Sequence, residues 1–127
     1  GELRKVARLF KQKLYQPGEI VFKKGDSGDE AYIVMRGQVD ICLDESPRPI
    51  ATVTNGQIFG ELAFLDGSPR VARAISRQPT IMLVIERSAF TALVQREPHL
   101  GLVVIRNIAE DISGKLRRAN ASHSGLR

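Results

Sequence analysis

Cysteine, histidine and tryptophan are scarce in this sequence, and each scarcity excludes a class of site. The single cysteine among 127 residues, Cys42, excludes an internal disulfide and a cysteine-based zinc site. The two histidines, His99 and His123, have no cysteine or carboxylate at metal-ligand spacing, so we expect no metal ion. Tryptophan is absent and aromatic residues make up 6% of the chain, which leaves little for stacking on nucleic-acid bases.

Long apolar runs and catalytic motifs are missing as well. The longest apolar runs, such as residues 81–85, are too short to cross a bilayer, so we expect no membrane span. The chain contains no phosphate-binding P-loop, no G-x-G-x-x-G motif and no G-x-S-x-G motif. We therefore predict no catalytic residue and expect that the chain is not an enzyme. The single cysteine fits a reducing compartment, so we expect a cytoplasmic location, which includes the cytosolic part of a membrane protein.

The positive charge is concentrated at the two ends of the chain. The net charge is +5, but residues 1–13 and residues 115–127 each contribute +4, and the 101 residues between them sum to −3. A basic surface that could hold a nucleic acid is therefore absent from the body of the domain. We expect no DNA binding by this chain alone.

The length of the chain and its first periodic segment predict one domain, 1–127, that begins with a helix. Over residues 1–14, apolar side chains recur at steps of three and four with basic residues between them, which is typical of an amphipathic helix. Pro17 and Gly18 then predict a turn that ends this helix. The apolar positions of the predicted helix are Leu3, Val6, Ala7, Phe10 and Leu14.

Residues 15–86 alternate between short runs of β-branched or aromatic residues and clusters of turn-forming residues. Several short strands at nearly regular spacing, separated by glycine and proline turns, predict an antiparallel β-roll of the jelly-roll type. The predicted strands are Glu19–Lys23, Glu30–Arg36, Gln38–Leu43, Ile50–Thr54, Val71–Ser76 and Thr80–Glu86.

Helical periodicity returns over residues 87–119. Ser88 is a suitable N-cap for a first helix, Pro98 breaks the chain, and a longer helix is predicted from about His99 to Arg118. Residues 120–127 have little to bury, and we expect a flexible tail. The predicted fold class is mainly β, an antiparallel β-roll with a short N-terminal helix and two C-terminal helices.

Residues 59–72 carry the most informative chemistry of the chain. Gly60 can bring backbone N–H groups close to a ligand, residues 61–65 can form one helical turn, and such free N–H groups favour an anion. Arg70 has the planar fork that meets a phosphate, and Glu61 is an acceptor for a hydroxyl. The alternative is a plain loop in which Arg70 pairs with Glu61 or Asp66, a kind of surface contact that contributes little. The residue types alone leave both interpretations open.

Residues 59–72 also match a known pattern, F-G-E-L-A-x-L-x-G-x-P-R-x-A, and so resemble the phosphate-binding cassette of cyclic nucleotide-binding domains. The glycines of residues 15–22 and 25–39 are similar to the glycine framework of the same family. The resemblance extends from about Leu9 to the last helix. It implies a β-roll flanked by helices, which agrees with the fold predicted above.

The resemblance implies a role for each cassette residue. Glu61 would accept the ribose 2′-hydroxyl, and Arg70 would pair with the exocyclic oxygen of the cyclic phosphate. Backbone amides would complete the cradle. No cofactor is implied beyond this ligand. The ligand-binding residues carried over from the family pattern are Phe59, Gly60, Glu61, Leu62, Ala63, Arg70, Val71 and Ala72.

The identity of the base is less closely defined. Family members that bind cGMP usually place a threonine or serine after the arginine, and Val71 has no hydroxyl there, so cAMP is favoured over cGMP. The last helix would cover the base, with Ile108, Asp111, Ile112 and Lys115 as the candidate lid. Two alternatives stay open. The Asp111 carboxylate can also accept from guanine, or the isoleucines simply pack on the roll and Asp111 is solvated.

The resemblance implies a sensor that passes ligand binding through its C-terminal helices to an effector. We expect the chain to be one domain of a larger protein, fused to a channel, transporter or enzyme, or else to pair with a second copy through its last helix. Two alternatives remain. One is a non-binding protein-interaction module of the same fold, and the other is a sensor of a different anion, such as a larger nucleotide.

Overall fold

The computed structural model describes residues 7–43 and 46–125; in the last helix, the side chains of residues 112, 115, 116 and 118–125 are not described. Eight short strands and three helices lie complete within the described residues. The strands are β1 (Phe10–Tyr15), β2 (Ile20–Phe22), β3 (Glu30–Arg36), β4 (Val39–Cys42), β5 (Pro49–Val53), β6 (Ile58–Phe59), β7 (Arg73–Ser76) and β8 (Thr80–Glu86). The helices are α1 (Glu61–Asp66), α2 (Arg87–Arg96) and α3 (Pro98–Gly125).

The strands form two antiparallel sheets, as predicted for a β-roll. The first sheet has the order β1-β8-β3-β6 and the second has the order β2-β7-β4-β5. β3 and β8 were predicted with the bounds that the structure has, because both are runs of apolar and β-branched residues between polar turns. β6 was not predicted, since a strand of two residues carries no readable alternation.

Two apolar cores hold these elements together. The first contains side chains from both sheets, including Phe22, Val39 and Val84. The second joins the first sheet to the helices, with Phe64 of α1, Leu93 of α2 and Val104 of α3 in one cluster. The cassette helix α1 is therefore packed into the same core as the C-terminal helices.

The N-terminal helix predicted for residues 1–14 is wrong at its C-terminal end. Residues 10–15 form β1, and all six pair with β8, from Phe10 opposite Ile85 to Tyr15 opposite Thr80. A complete ladder with a central strand outweighs the small preference that apolar residues at helical spacing give to an isolated helix. Of the other positions, Ala7 is helical and residues 1–6 lie outside the described residues.

The first of the two C-terminal helices begins earlier than predicted. α2 begins at Arg87, with Glu86 and not Ser88 as its N-cap, because β8 continues to Glu86 and the Arg87 N–H donates to the Asp29 carbonyl oxygen at 2.8 Å. The break at Pro98 is confirmed, since Glu97 separates the two helices.

The expected flexible tail at residues 120–127 is helical as far as Gly125, and residues 126–127 lie outside the described part of the chain. The sequence holds no proline or glycine between residues 115 and 124 that would stop the helix earlier. Within the described residues, no helix combines the length and the hydropathy that crossing a bilayer requires.

Candidate functional site

The cassette, residues 59–72, connects the two sheets. It leaves β6 of the first sheet at Phe59, forms α1 and enters the second sheet at β7. Each end of α1 is a glycine in the left-handed region, Gly60 with φ 75° and Gly67 with φ 76°. The end of the cassette is fastened to the β2–β3 loop, because the Arg70 N–H donates to Asp26 O at 2.8 Å and the Gly25 N–H donates to Arg70 O at 2.8 Å.

Gly60 is required at its position for two reasons. Its positive φ is a conformation that other residues adopt only with strain. A Cβ atom there would also lie 2.8 Å from Nη1 of Arg70 and 3.1 Å from a ring carbon of Tyr32. The sequence predicted that this glycine lets the backbone approach a ligand, and in the structure it lets the backbone approach the Arg70 side chain.

Arg70 points into the roll and is only 4% exposed. Its Nη1 donates to Gly60 O at 2.7 Å and its Nη2 donates to Glu30 O at 2.5 Å. The guanidinium carbon lies 4.2 Å from the centre of the Phe22 ring and 5.7 Å from that of Tyr32. The remaining nitrogen, Nε, is buried without a hydrogen-bond partner. Burial lowers the pKa of this guanidinium below its ordinary value, because loss of water disfavours the charged form.

The contacts of Asp66 disagree with the plain-loop alternative in which Arg70 pairs with Asp66. The Asp66 carboxylate accepts from the backbone N–H of Ser68 at 2.8 Å and from its hydroxyl at 2.6 Å, whereas Arg70 donates to carbonyl oxygens. These two bonds lower the pKa of Asp66. Arg70 therefore makes no surface pair with Asp66.

The other predicted cassette residues differ in exposure. Phe59, Ala63 and Ala72 are buried. Glu61 is only 3% exposed and is the first residue of α1, where the partial positive charge of the helix N-terminus stabilises a carboxylate. In contrast, the side chains of Leu62 and Val71 are exposed. The roles predicted for these two residues stay predictions.

The candidate lid is described only in part. Ile108 is buried in the core cluster with Phe64 and Val104, which matches the packing alternative. Asp111 is half-buried, so it is not the solvated residue of that alternative. The side chains of Ile112 and Lys115 lie outside the described residues. The lid assignment therefore stays a prediction.

A small cavity lies beside Ile108, between α3 and the first sheet. Its volume is about 210 Å³, and its lining is largely apolar. The lining residues are Phe10, Ala31, Tyr32, Ile33, Ile58, Ile85, Val104, Asn107 and Ile108. α3 therefore does not close tightly against the sheet at this point.

Three residues of the site had no predicted role. Phe22 and Tyr32 provide the aromatic faces on which the Arg70 guanidinium lies, and Arg87 donates hydrogen bonds to the C-terminal end of α1. Phe22 and Tyr32 fall within the glycine framework of the family pattern, which was the available signal. Among the side chains that the structure describes, no three metal-ligating groups come together.

Comparison with known proteins places this chain in a family. Residues 12–97 match the family model described as "Cyclic nucleotide-binding domain". Over 114 residues the chain is 32% identical to the "Cyclic AMP receptor protein" of Thermus thermophilus, covering 87% of this chain and 51% of that protein. It is 31% identical over 93 residues to a "cAMP-dependent protein kinase regulatory subunit" of Pyricularia oryzae, covering 73% and 24% respectively.

Solved structures agree with the sequence comparisons. A cyclic nucleotide-binding domain from Methylobacillus flagellatus superimposes with a TM-score of 0.87 at 27% identity, covering 92% of this chain and 67% of that one. The chain spans about half the length of the Thermus protein and about a quarter of the kinase subunit. The family match covers more than half of the chain, and this chain belongs to the cyclic nucleotide-binding domain family.

Proposed function

We propose that this domain is a sensor that binds cAMP at the cassette and passes the binding event to an effector through α2 and α3. No catalytic step is proposed for any of its residues. The observation that carries the proposal is the state of Arg70, a buried cation whose hydrogen bonds go to two neutral carbonyl oxygens and whose Nε has no partner.

A cyclic phosphate is a better partner for Arg70 than the oxygens that it contacts now. The carbonyl oxygens that Arg70 contacts are neutral acceptors, whereas a phosphate oxygen adds an opposite charge and can accept two parallel N–H bonds from the guanidinium fork. A buried cation that hydrogen-bonds to no anion also carries a loss of hydration, which a singly negative ligand offsets. The backbone amides of Gly60, Leu62 and Ala63, with those of Val71 and Ala72, are the donors proposed for the remaining phosphate oxygens.

Glu61 is the proposed partner of the ribose. It lies next to Gly60 at the start of α1, its side chain is buried, and an ionised carboxylate is an acceptor only. Because like charges repel, Glu61 is poorly suited to the phosphate and well suited to the 2′-hydroxyl. The cassette thus offers a cation for one end of a cyclic ribose phosphate and an acid for the other.

The absence of a hydroxyl at Val71 supports cAMP as the ligand. The exposed Val71 side chain follows Arg70 directly and cannot hydrogen-bond to guanine. The two curated relatives described above are both named for cAMP. A cGMP sensor is the second candidate, and the half-buried carboxylate at Asp111 is the observation that favours it.

The apolar core gives the proposed route from the cassette to the effector. The ring of Phe64 in α1 lies 5.5 Å from that of Phe90 in α2, and Phe64 shares a core cluster with Val104 of α3. A shift of α1 therefore requires the helices to repack. Ligand drives such a shift only through a higher affinity for the shifted state. The effector is a fused channel, transporter or enzyme in the cytoplasm, or a second copy of this chain.

Thermal unfolding in the presence of four nucleotides tests this function. The proposal predicts that cAMP raises Tm, with a stabilisation of about 2.7 kcal/mol at one hundred times Kd. A smaller rise is expected with cGMP, and none with AMP or cyclic di-GMP. An equal or larger response to cGMP would favour the second candidate. A response to AMP or cyclic di-GMP alone would identify a different anion, and no response to any of the four would identify a protein-interaction module.

A further inference from the structure

Arg87, the first residue of α2, makes an unusually large set of contacts for a residue without a predicted role. Its Nε donates to Phe64 O at 3.0 Å, and its Nη2 donates to Ala63 O at 2.9 Å and to Gly28 O at 2.8 Å. Its Nη1 donates to the Asp29 carboxylate at 3.0 Å. One side chain thus joins the cassette helix, the β2–β3 loop and the start of α2.

Two of these contacts meet a need of α1. The carbonyl groups at the C-terminal end of a helix carry a partial negative charge, and here Ala63 O accepts the Gly67 N–H in addition to Arg87. α1 has no basic residue in its last turn, so its own sequence supplies no cation there. Arg87 supplies one from another element, with a planar fork that reaches several oxygens at once.

Arg70 and Arg87 contact neighbouring residues of one short segment, 28–30. Arg70 joins the N-terminal end of α1, through Gly60 O, to Glu30 O. Arg87 joins the C-terminal end of α1 to Gly28 and Asp29. Residues 28–30 therefore hold both ends of the cassette helix through two arginine side chains.

We propose that Arg87 is a positioning residue for nucleotide binding, which holds the cassette in place when Arg70 turns to the phosphate. This inference rests on the proposed function, because binding of an anion by Arg70 weakens its contacts to Gly60 O and Glu30 O. The Arg87 clamp then keeps α1 on residues 28–30, and its backbone N–H bond to Asp29 O carries that link into α2.

The ion pair between Arg87 and Asp29 is too exposed to hold the cassette in place by itself. The two side chains are 34% and 65% exposed, and ion pairs of that exposure contribute little to stability. Arg77 gives a matched control, since it pairs with Asp40 at the same 3.0 Å and its side chain is 37% exposed. Asp40 lies on β4, so the control pair belongs to the second sheet and not to the cassette.

The experiment compares Arg87→Gln with Arg77→Gln in calorimetric titrations with cAMP. We expect Arg87→Gln to weaken binding about tenfold, because hydrogen bonds of a charged group to the cassette are lost. Arg77→Gln is expected to change the affinity by less than about twofold, because the Arg77 side chain pairs with Asp40 of the second sheet and not with the cassette. Arg87→Lys keeps the charge but not the fork, and an intermediate affinity is expected. Equal affinities of Arg87→Gln and Arg77→Gln would overturn the proposal.

Hydrogen exchange of the ligand-free protein separates this inference from the proposed function. In Arg87→Gln, the amides of residues 61–67, including the Gly67 N–H that donates to Ala63 O, should exchange faster than in the wild type and in Arg77→Gln. If the wild type binds no cyclic nucleotide, the proposed function fails, and the exchange rates alone decide whether Arg87 positions the cassette. Unchanged exchange across residues 61–67 would overturn the positioning role in either case.

Discussion

Arg70 lies against two neutral aromatic rings, those of Phe22 and Tyr32. Burial, and then the nearby Glu30 carboxylate, raise the pKa of Tyr32, so its hydroxyl stays protonated and donates to Glu30 at 2.9 Å. Neutral ring faces attract a cation but leave its charge uncompensated. The site thus holds its cation in the roll without supplying a hydrogen-bonded anion, and this is what a ligand phosphate would provide.

The residue after Arg70 allows a test of base selectivity. Val71→Thr adds the hydroxyl that guanine would use, and one good hydrogen bond should shift the ratio of cAMP to cGMP affinity about tenfold toward cGMP. Val71 is 76% exposed, so the free energy of unfolding should change by less than about 0.5 kcal/mol. Val71→Ala is the matched control, which removes the branched side chain and adds no hydroxyl.

Calorimetric titration with both nucleotides measures this ratio for the wild type and the two variants. The same ratio in Val71→Thr and Val71→Ala would show that the hydroxyl is not near the base. In that case the selectivity would have to come from another part of the site, with Asp111 as the first residue to substitute.

The sequence alone predicted chemically distinctive residues for the candidate site but not their surroundings. Gly60, Glu61 and Arg70 could be predicted because each has a chemistry that few residue types share. The aromatic rings under Arg70 could not, because Phe22 and Tyr32 are far from Arg70 in the chain and look like ordinary core residues of strands. The core position of Ile108 depends on how α3 lies on the first sheet, which periodicity does not determine.

Among the elements, α1 and the β2–β3 loop are packed so closely that one added methyl group should separate them. A Cβ at Gly28 would lie 2.2 Å from Cβ of Ala63 and 2.9 Å from Ser68 O. Gly28→Ala should therefore lower the free energy of unfolding by about 1–3 kcal/mol, the usual cost of overpacking. It should also weaken cAMP binding, because Ala63 belongs to the cassette.

Denaturant unfolding and calorimetric titration test this prediction, with Gly56→Ala as the control. Gly56 has φ +83° and no atom within 4 Å of its ideal Cβ, so only the backbone strain of about 1 kcal/mol is expected there, with cAMP affinity retained. A Gly28→Ala variant that unfolds and binds like Gly56→Ala would contradict this prediction, because it would show that the β2–β3 loop shifts to make room for the methyl group.

β1 shows why the spacing of apolar residues predicted the wrong kind of element. Phe10 and Leu14 are spaced for a helix, yet they lie in a strand with Leu14 61% exposed. Local spacing describes one segment, whereas a strand is stabilised by its neighbour, and β8 lies nearly 70 residues further along the chain. β3 and β8 were predictable since each is apolar enough to be a strand in any pairing.

At the scale of the whole molecule, the cassette is the connection between the three layers of the fold. It joins the first sheet to the second along the chain, and Phe64 joins the cassette to α2, α3 and the first sheet through the second apolar core. A ligand that moves α1 therefore acts on all three layers at once. The family pattern predicted this connection, because it fixes the order of strand, cassette and strand. The contacts of Arg70, Arg87 and Phe64 that hold the cassette could be seen only in the structure.

The central claim is that Arg70 binds the phosphate of a cyclic nucleotide, and calorimetric titration of cAMP into the wild type and Arg70→Gln tests it most directly. The account predicts saturable binding by the wild type and binding at least about 30-fold weaker by Arg70→Gln, since losing one partner of a buried charge pair costs about 2–5 kcal/mol. Arg77→Gln, which breaks an ion pair of the second sheet, should bind like the wild type. Undiminished affinity for cAMP in Arg70→Gln would contradict the account.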